Sequence, residues 1–591
     1  MKKIYLYLAL FAAVSTACNK TIIEPAQSDD EPDVEVKMIT ETVTGGKGTS
    51  TKATIANSDA SFKWTAGDNI AVHVSKDDSH KYVFTSDAGA SGADAAAASA
   101  SFTVVYPEGY ARDAFAVFPS TIVSETAANY GQSGTALDVT LPASYTLAQV
   151  RGETSPCPMI ATNTAGSGWD FDQLCCLLRL TMNSIPPSTK RLEIDFDGKK
   201  VCGDFSIASP VNPSASEIAT TAGDSYDTIT ITKDGTDVTL NNNAWLDGLV
   251  VNIPLPTGAY TNISITAYDA LTGGNAILTV PCVFNYTATS TRAKKVTVSF
   301  PVFSVSAEKK VTFAPGNLQY LGNGDGTGTW RFAEHQYDFM GDGPTSGTSY
   351  QGNVTVAGFT KYNASADLDV ARDLFGWGTS GYDNKYPYMT STNSNSYYRG
   401  PITDTDYDWG VYHSATGNST EKITNGGSYS WRLFTGVEWA YIIAREGKVY
   451  TRQDYSETKN LFASATVNGV KGILLFPDNW NGSFDRTIKY GNESIAGYSV
   501  TVRDAEQWAV LERMGCVFLP AAHVRGTSSN GTVMDQLNEG HYWASTTDPS
   551  NFNNEYRGCT LEWGNTGTVT KNAGNCQVRY LGQSVRLIRE L

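Results

Sequence analysis

The chain has 591 residues, too many for one hydrophobic core, and predicts roughly three to four domains at ~100–200 residues each. Hydrophobic residues make up 41% and charged residues 18%, ordinary for folded protein and too apolar for a disordered chain. Acidic residues outnumber basic ones by 60 to 44, giving a formal charge of −16; this argues against nucleic acid as a partner, because phosphate backbones are held mainly by Lys and Arg.

The N-terminus opens with Met1-Lys2-Lys3, continues with an apolar run from Ile4 to Val14, and reaches small residues ending at Ala17-Cys18. A basic start, an apolar stretch of this length and a small-residue junction define an export signal. The run is too short for a bilayer span, which needs ~20 apolar residues. The Ser15-Thr16-Ala17-Cys18 junction resembles the lipoprotein signals of Bacteroidetes, with Ser15 where Leu is typical. That resemblance implies a signal peptide over 1–17, lipidation of Cys18 and an outer-membrane lipid anchor, stable when more than one acyl chain is attached. The alternative is simple secretion. Residues 18–35 read as a polar tether, and its Ser28-Asp29-Asp30-Glu31 patch resembles surface-export signals, although it lies some way downstream of Cys18.

From about 36 to 300 the pattern is strand after strand, with apolar and polar residues alternating between Gly, Pro, Asn and Asp punctuation. Examples are Asn69–Val74, Ser101–Tyr106, Ala114–Pro119, Leu137–Leu141, Arg191–Phe196 and Asn262–Tyr268. Two β-sandwiches dividing near Ser184-Ile185-Pro186-Pro187 account for the length, as 36–184 and 185–302. Thr51-Lys52-Ala53-Thr54, then Phe62-Lys63-Trp64-Thr65-Ala66-Gly67-Asp68-Asn69-Ile70, and the Ala114–Pro119 strand resemble the opening of fimbrillin-type proteins of Bacteroidetes. The resemblance implies transthyretin-like sandwiches and a role as pilus subunit, anchor or surface stalk. Trp64 is expected to pack at a strand entrance and Gly67-Asp68 to form a turn.

After Phe303 the composition changes: nine of the twelve Trp lie between Trp330 and Trp563. Thr435-Gly436-Val437-Glu438 has the form of a capping box opening a helix through Arg445, and Thr501-Val502-Arg503-Asp504 is expected to open a second that stops at Gly515. Strands are expected around Gly472–Phe476, Cys516–Leu519, Tyr542–Thr546, Leu561–Trp563 and Ser584–Ile588, and Asn323–Gly328 reads as a hairpin turn. This is a separate α+β domain over 303–591. Its ordered motifs, among them Leu374-Phe375-Gly376-Trp377-Gly378, Asp408-Trp409-Gly410, Phe518-Leu519-Pro520-Ala521-Ala522, Tyr542-Trp543-Ala544-Ser545-Thr546 and Gly582-Gln583-Ser584-Val585-Arg586, resemble the Fibrobacter major paralogous domain. The resemblance implies a C-type-lectin-like scaffold with an irregular, solvent-facing surface.

Catalytic motifs are scarce. Thr44-Gly45-Gly46-Lys47-Gly48-Thr49 lacks the spacing of a phosphate loop and reads as a flexible turn; no G-x-S-x-G or H-E-x-x-H occurs. C-type-lectin-like scaffolds include formylglycine-generating enzymes with reactive cysteines, but Cys516 sits in an apolar strand and reads as inert core. Adjacent Cys175 and Cys176 read as buried thiols, and Cys559 and Cys576 could face each other on neighbouring strands. No enzyme activity and no required cofactor or metal are expected. Calcium is weighed at Asp404, Asp406 and Asp408, which would share one face of an extended segment, and at Pro477-Asp478-Asn479; Asp and Asn are also ordinary turn formers.

The last fifty residues carry the binding expectation. Framework strands flank Asn553, Asn554, Tyr556, Arg557, Glu562, Gln577, Arg579 and Tyr580, and Tyr, Arg and Asn suit an adaptable contact surface. The position resembles the variable ligand-binding region of retroelement-diversified C-type-lectin-like proteins; ordinary polar loops of a structural module are the alternative. The expected function is a surface lipoprotein adhesin, a fimbrillin-like stalk carrying a head that binds a host or bacterial surface glycan or protein. Resemblance also implies fimbrial subunits as partners through strand addition. Because Ser584–Ile588 is built into the head, and no Arg lies between Cys18 and Arg112 for early proteolysis, a pilus tip or stand-alone adhesin is expected rather than a shaft subunit. A structural fimbrial anchor without a soluble ligand is the alternative.

Overall fold

Alternation decides which face each strand buries. In Ala100–Pro107 every second residue (Ala100, Phe102, Val104 and Tyr106) is buried and those between are half-exposed, the two-residue period of a strand covered on one side. The computed structural model describes residues 38–47, 64, 68–77, 80–85, 100–123, 137–151, 157–163, 169–186, 188–207, 218–233, 248–288, 293–343, 351–444, 462–478, 480, 489–490, 500–526, 533–534, 539–547, 557–563 and 569–591. Cys18, the signal segment and the tether lie outside them. The described chain is mostly β-sheet and divides into two compact units, Met1–Met182 with Thr189–Thr297, and Asn183–Ser188 with Val298–Leu591.

In the first unit a seven-stranded sheet runs in the order His80–Thr85, Ala71–Asp77, Ala111–Phe118, Met159–Asn163, Trp169–Gln173, Met38–Lys47, Ala100–Pro107. Neighbours are antiparallel except Met38–Lys47 beside Trp169–Gln173. A three-stranded sheet, Ile218–Tyr226, Cys202–Ile207 and Leu137–Leu141, contributes Leu137, Val139, Leu141, Phe205 and Ile207 to the same hydrophobic core. Two sheets sharing one core make a sandwich. Trp64, 1% exposed, packs edge-to-face against Phe102, Phe118 and Phe171 at centroid distances of 4.9, 5.2 and 5.2 Å; Gly67 lies outside the described residues. The flexible turn expected at Thr44–Lys47 is instead strand. Gly45 pairs with Ala100 on one side and Trp169 on the other, so ladder bonds override glycine's weak strand preference.

A five-stranded sheet follows, Ala276–Ala288, Gly258–Tyr268, Arg191–Asp195, Thr228–Thr232, Ser144–Thr146, together with a three-stranded sheet of Leu249–Leu255, Cys176–Asn183 and Ala293–Ser299. Strands cross the 184/185 line in both directions. Leu137–Leu141 pairs with Cys202–Ile207, and Ser144–Thr146 runs parallel to Thr228–Thr232.

His73 is fully buried in this unit, its ring tilted by 32° against Phe115 at 4.4 Å, and burial lowers it from the ordinary 6.5 to about 3. The sign follows from linkage. The folded chain refuses a proton that the unfolded chain accepts below pH 6.5, so stability is complete above 6.5 and falls as pH drops toward 3. The His73 contribution is expected to be about 1.4 kcal/mol lost per pH unit at most in that window. Urea unfolding of wild type and His73→Gln at pH 7, 5 and 4 checks it: the difference between the two proteins should change with pH in that direction.

Among the described residues the second unit holds several small sheets and three α-helices of five to nine residues. Thr435 and Glu438 form the expected capping box, Thr435 N donating to Glu438 Oε2 (2.8 Å) and Glu438 N to Thr435 Oγ1 (3.2 Å); the helix runs Gly436–Ala444. The second helix, Ala505–Arg513, begins one turn later than expected. Asp504, not Thr501, caps it by accepting from Gln507 N at 2.9 Å, because Thr501 is committed to the strand Val500–Val502. The hairpin at Asn323–Gly328 joins Leu318–Gly322 to Gly328–Phe332, with Gly324 and Gly326 at φ 85° and 94°. The expected strand Ser584–Ile588 is two pieces, Gln583–Ser584 and Leu587–Glu590. The latter lies between Lys310–Phe313 and Arg432–Leu433 in a four-stranded sheet. One core packs the Gly436–Ala444 helix side chains Trp439, Ile442 and Ile443 with Tyr542, Leu561 and Ile588. Another is aromatic, built from Trp330, Trp377, Trp409, Trp431 and Trp543 with Phe332 and Phe375.

Candidate functional site

The C-terminal hairpin is a scaffold more than a rim. Arg557–Trp563 lies between Gly540–Thr547 and Val569–Val578. Glu562 Oε1 accepts from Thr560 Oγ1 and Gln577 Nε2, both at 2.7 Å, and His541 Nδ1 lies 3.6 Å away. Burial alone would raise the Glu562 carboxyl, but the neighbouring His541 and the hydrogen bonds from Thr560 and Gln577 hold it below the usual carboxylate range. Arg557 and Tyr580 are half-buried, Arg557 opposite Val578. Asn553, Asn554 and Tyr556 lie outside the described residues.

Arg579 corrects the expectation of an exposed contact residue. It is 0% exposed, and its Nη1 donates to the carbonyls of Tyr397 (3.2 Å) and Tyr398 (2.9 Å) while its own carbonyl accepts from Trp377 N at 2.9 Å. The guanidinium is turned inward because it holds backbone, not ligand. What it holds is the segment from Trp377 to Tyr412. Ser545 secures the same segment, accepting from Ile402 N (2.9 Å) and bonding Thr403 Oγ1 (2.8 Å).

That segment carries a tyrosine surface. Tyr398 stacks on Tyr407 at 3.6 Å, Tyr407 meets Tyr382 edge-on at 5.1 Å, and Tyr382 meets Tyr412 at 5.6 Å. Tyr386 and Tyr388 stack in parallel at 5.2 Å. Tyr382 and Tyr386 are 39% and 37% exposed, while the aromatic core against which Tyr388, Tyr398 and Tyr407 pack is buried. A tight turn fixes the tip: Asp383 and Asn384 both have positive φ, 47° and 59°, and Lys385 N returns to Tyr382 O at 3.0 Å. Two consecutive left-handed residues are the mark of a type I′ turn, which Asp and Asn tolerate. Tyr407 donates to Asp383 Oδ2 at 2.8 Å; burial, then this bond, push its hydroxyl up to about 12, so it remains a neutral donor. Flat rings with polar edges, ordered before binding, give contact area at low entropic cost.

The three aspartates weighed for calcium do not share a face. Thr403–Trp409 turns, with Thr405 N bonded to Ile402 O and Asp408 N to Thr405 O. Asp404 is exposed, Asp406 accepts from Asn418 Nδ2 at 3.0 Å, and Asp408 is buried, capping Trp409–His413 through Gly410 N (2.8 Å) and accepting from Leu433 N (2.9 Å). Asp478 likewise serves the fold, accepting from Ser304 N (2.9 Å) and Oγ (2.5 Å); Asn479 lies outside the described residues. Among the described residues no group of three His, Cys, Asp or Glu side chains is placed to hold a metal ion. Cys516 is buried in apolar surroundings that push its thiol well above the ordinary value, and Cys175 and Cys176 are buried as well.

Cys559 and Cys576 are buried register partners on adjacent strands, with sulfurs 2.8 Å apart. In an oxidising compartment this pair is expected to be a disulfide. Thiol labelling of the denatured chain should then find two fewer reactive cysteines than after reduction. Closing a loop with a sequence separation of 17, the bond should stabilise by about 3 kcal/mol, read as a lower urea midpoint after reduction.

No protein-family model and no curated protein matches this chain. Among solved structures it is similar to a candidate cell adhesion protein from Bacteroides ovatus, at 12% identity and TM-score 0.27 over 45% of this chain and 93% of the other. It is similar to the tip fimbrial protein Mfa3 from Porphyromonas gingivalis, at 10% and 0.18 over 42% and 82%. A fimbrial protein from Bacteroides ovatus matches at 9% and 0.19 over 93% and 99%. Likeness this distant carries no function to the chain.

Proposed function

We propose that this protein is a lipid-anchored adhesin of a bacterial outer membrane, displayed at the surface through Cys18. Its first unit serves as a fimbrillin-like stalk of transthyretin-like sandwiches. Its second serves as a C-type-lectin-like head without enzymatic activity, presenting a binding face to a surface glycan or protein, alone or at a fimbrial tip among other subunits. The observation that carries the reading is the tyrosine surface of Tyr382, Tyr398, Tyr407 and Tyr412, ordered on a buried tryptophan scaffold. The adhesion and fimbrial names of the distant solved structures agree with it without bearing its weight.

Binding of the full chain to arrayed host and bacterial glycans, mucin and bacterial surface proteins tests the reading. Saturable binding is expected, weakened about 10- to 100-fold in Tyr382→Ala/Tyr407→Ala, as loss of central aromatic anchors costs in other interfaces, with near-UV circular dichroism still that of a folded chain. Binding indifferent to both substitutions would move the site away from the tyrosines. No binding to any surface would favour a structural fimbrial anchor.

A further inference from the structure

Among the described residues four arginines lie fully in the interior of the second unit: Arg372, Arg525, Arg579 and Arg586 are each 0% exposed. For two of them the surroundings supply partners. Arg586 donates to Gln336 Oε1 at 2.8 Å and interacts with the Glu512 charge, and Arg579 donates to two carbonyls. Arg372 and Arg525 differ. Arg372 Nη2 donates to the Ser365 carbonyl, but Nε and Nη1 meet no acceptor among the described residues. Arg525 shares backbone bonds of 2.8 and 2.9 Å with Gly582, and its guanidinium lies where a side chain on Gly582 would be, 2.6 Å from Nε to the site of a Cβ. Among the described residues no nitrogen of Arg525 makes a well-formed hydrogen bond; the Tyr397 hydroxyl beside it donates to Ser391 O at 2.9 Å. Gln583, the next residue after Gly582, is 0% exposed with both amide atoms unpartnered among the described residues.

Charge makes the deficit sharper. Among the described residues one carboxylate is near, that of Asp373, whose oxygens accept from Asn363 Nδ2 (2.7 Å) and Met340 N (2.8 Å). Burial raises it to about 6, leaving it ionised at neutral pH. Burial, then the Arg525 charge, lowers Arg372 only to about 9, so it stays a cation. Two guanidiniums against one carboxylate leave one positive charge over. Water can satisfy N–H groups but does not neutralise a charge, and an uncompensated buried charge is strongly unfavourable.

We propose that a small monovalent anion, chloride being the abundant one, is bound inside the second unit by the guanidiniums of Arg372 and Arg525, with the Gln583 amide as a further donor. The ion supplies the missing acceptor and the missing charge together. It binds the folded chain only, because the segments that carry the three groups meet only there, Phe375 pairing with Gln583 and Arg525 bridging to Gly582, so folding is linked to anion concentration.

Thermal unfolding of the full chain in sodium chloride and in sodium gluconate of equal ionic strength tests this, gluconate being too large for an enclosed site. Chloride is expected to shift the folding equilibrium of the second unit by 1 + [Cl⁻]/Kd, about 100-fold at a hundred times Kd. Arg525→Met removes the surplus charge while keeping an apolar stem on Gly582, and should unfold alike in both salts. Should that variant not fold, bromide-soaked crystals of the unaltered chain decide through anomalous scattering, with a peak within hydrogen-bond reach of Arg372 and Arg525 expected. Equal unfolding of the unaltered chain in the two salts, or no bromide between the guanidiniums, overturns the proposal.

Discussion

Ile588→Asp is expected to unfold the second unit. Ile588 is 0% exposed and sits on Leu587–Glu590, where it pairs with Phe313 on one side and Arg432 on the other. Removing the apolar side chain costs about 2–5 kcal/mol by itself, and a carboxylate without a partner adds several more. The total reaches or exceeds the whole stability of an ordinary domain, ~5–15 kcal/mol. Near-UV circular dichroism reads the outcome, because nine of the twelve tryptophans lie between Trp330 and Trp563. The signal should collapse in Ile588→Asp and persist in Ile588→Val, which costs only about 0.5–1.5 kcal/mol. A folded Ile588→Asp would mean that the strand is dispensable, and a role in donating it to another subunit would be open again.

Trp64→Ala should cost the first unit about 3–5 kcal/mol. The indole meets three aromatic rings edge-on within 5.2 Å, and such pairs contribute about 0.5–1.5 kcal/mol each beyond burial. The rings come from three strands, Ala100–Pro107, Ala111–Phe118 and Trp169–Gln173, so the cavity cannot be closed by moving one of them. Urea unfolding should show a lower midpoint with an unchanged slope, the mark of lost stability rather than altered compactness. Trp64→Phe, which keeps part of the contact, should fall between; equal midpoints for wild type and Trp64→Ala would remove Trp64 from the core.

Local rules were legible in the sequence where the partners are close. The Thr435–Glu438 capping box spans three residues and formed as expected, and the Asn323–Gly328 turn follows from residues that accept positive φ. Errors came where distance along the chain decides. Arg579 looks like a surface residue until Tyr397 and Tyr398 are brought to it, from separations of 182 and 181 residues. Asp404, Asp406 and Asp408 alternate in sequence, yet alternation aligns side chains only in extended backbone, and this stretch turns. The tyrosine surface has no period to betray it, since its rings come from turns and a short helix. Its signal was density: eight of the 31 tyrosines fall between residues 377 and 430.

The pairing of Leu137–Leu141 with Cys202–Ile207, and of Ser144–Thr146 with Thr228–Thr232, bears on how the chain can be made and rearranged. A nascent or translocating polypeptide has no partner for Leu137–Leu141 until residue 207 has followed it, and none for Ser144–Thr146 until residue 232. A gene fragment ending at 184 would therefore produce a sheet with open edges, a ready template for aggregation. Recombination that shuffles pieces of such a gene should tolerate breakpoints just after the strand Ala293–Ser299 and avoid those between 137 and 299, because Cys176–Asn183 shares a sheet with Leu249–Leu255 and Ala293–Ser299.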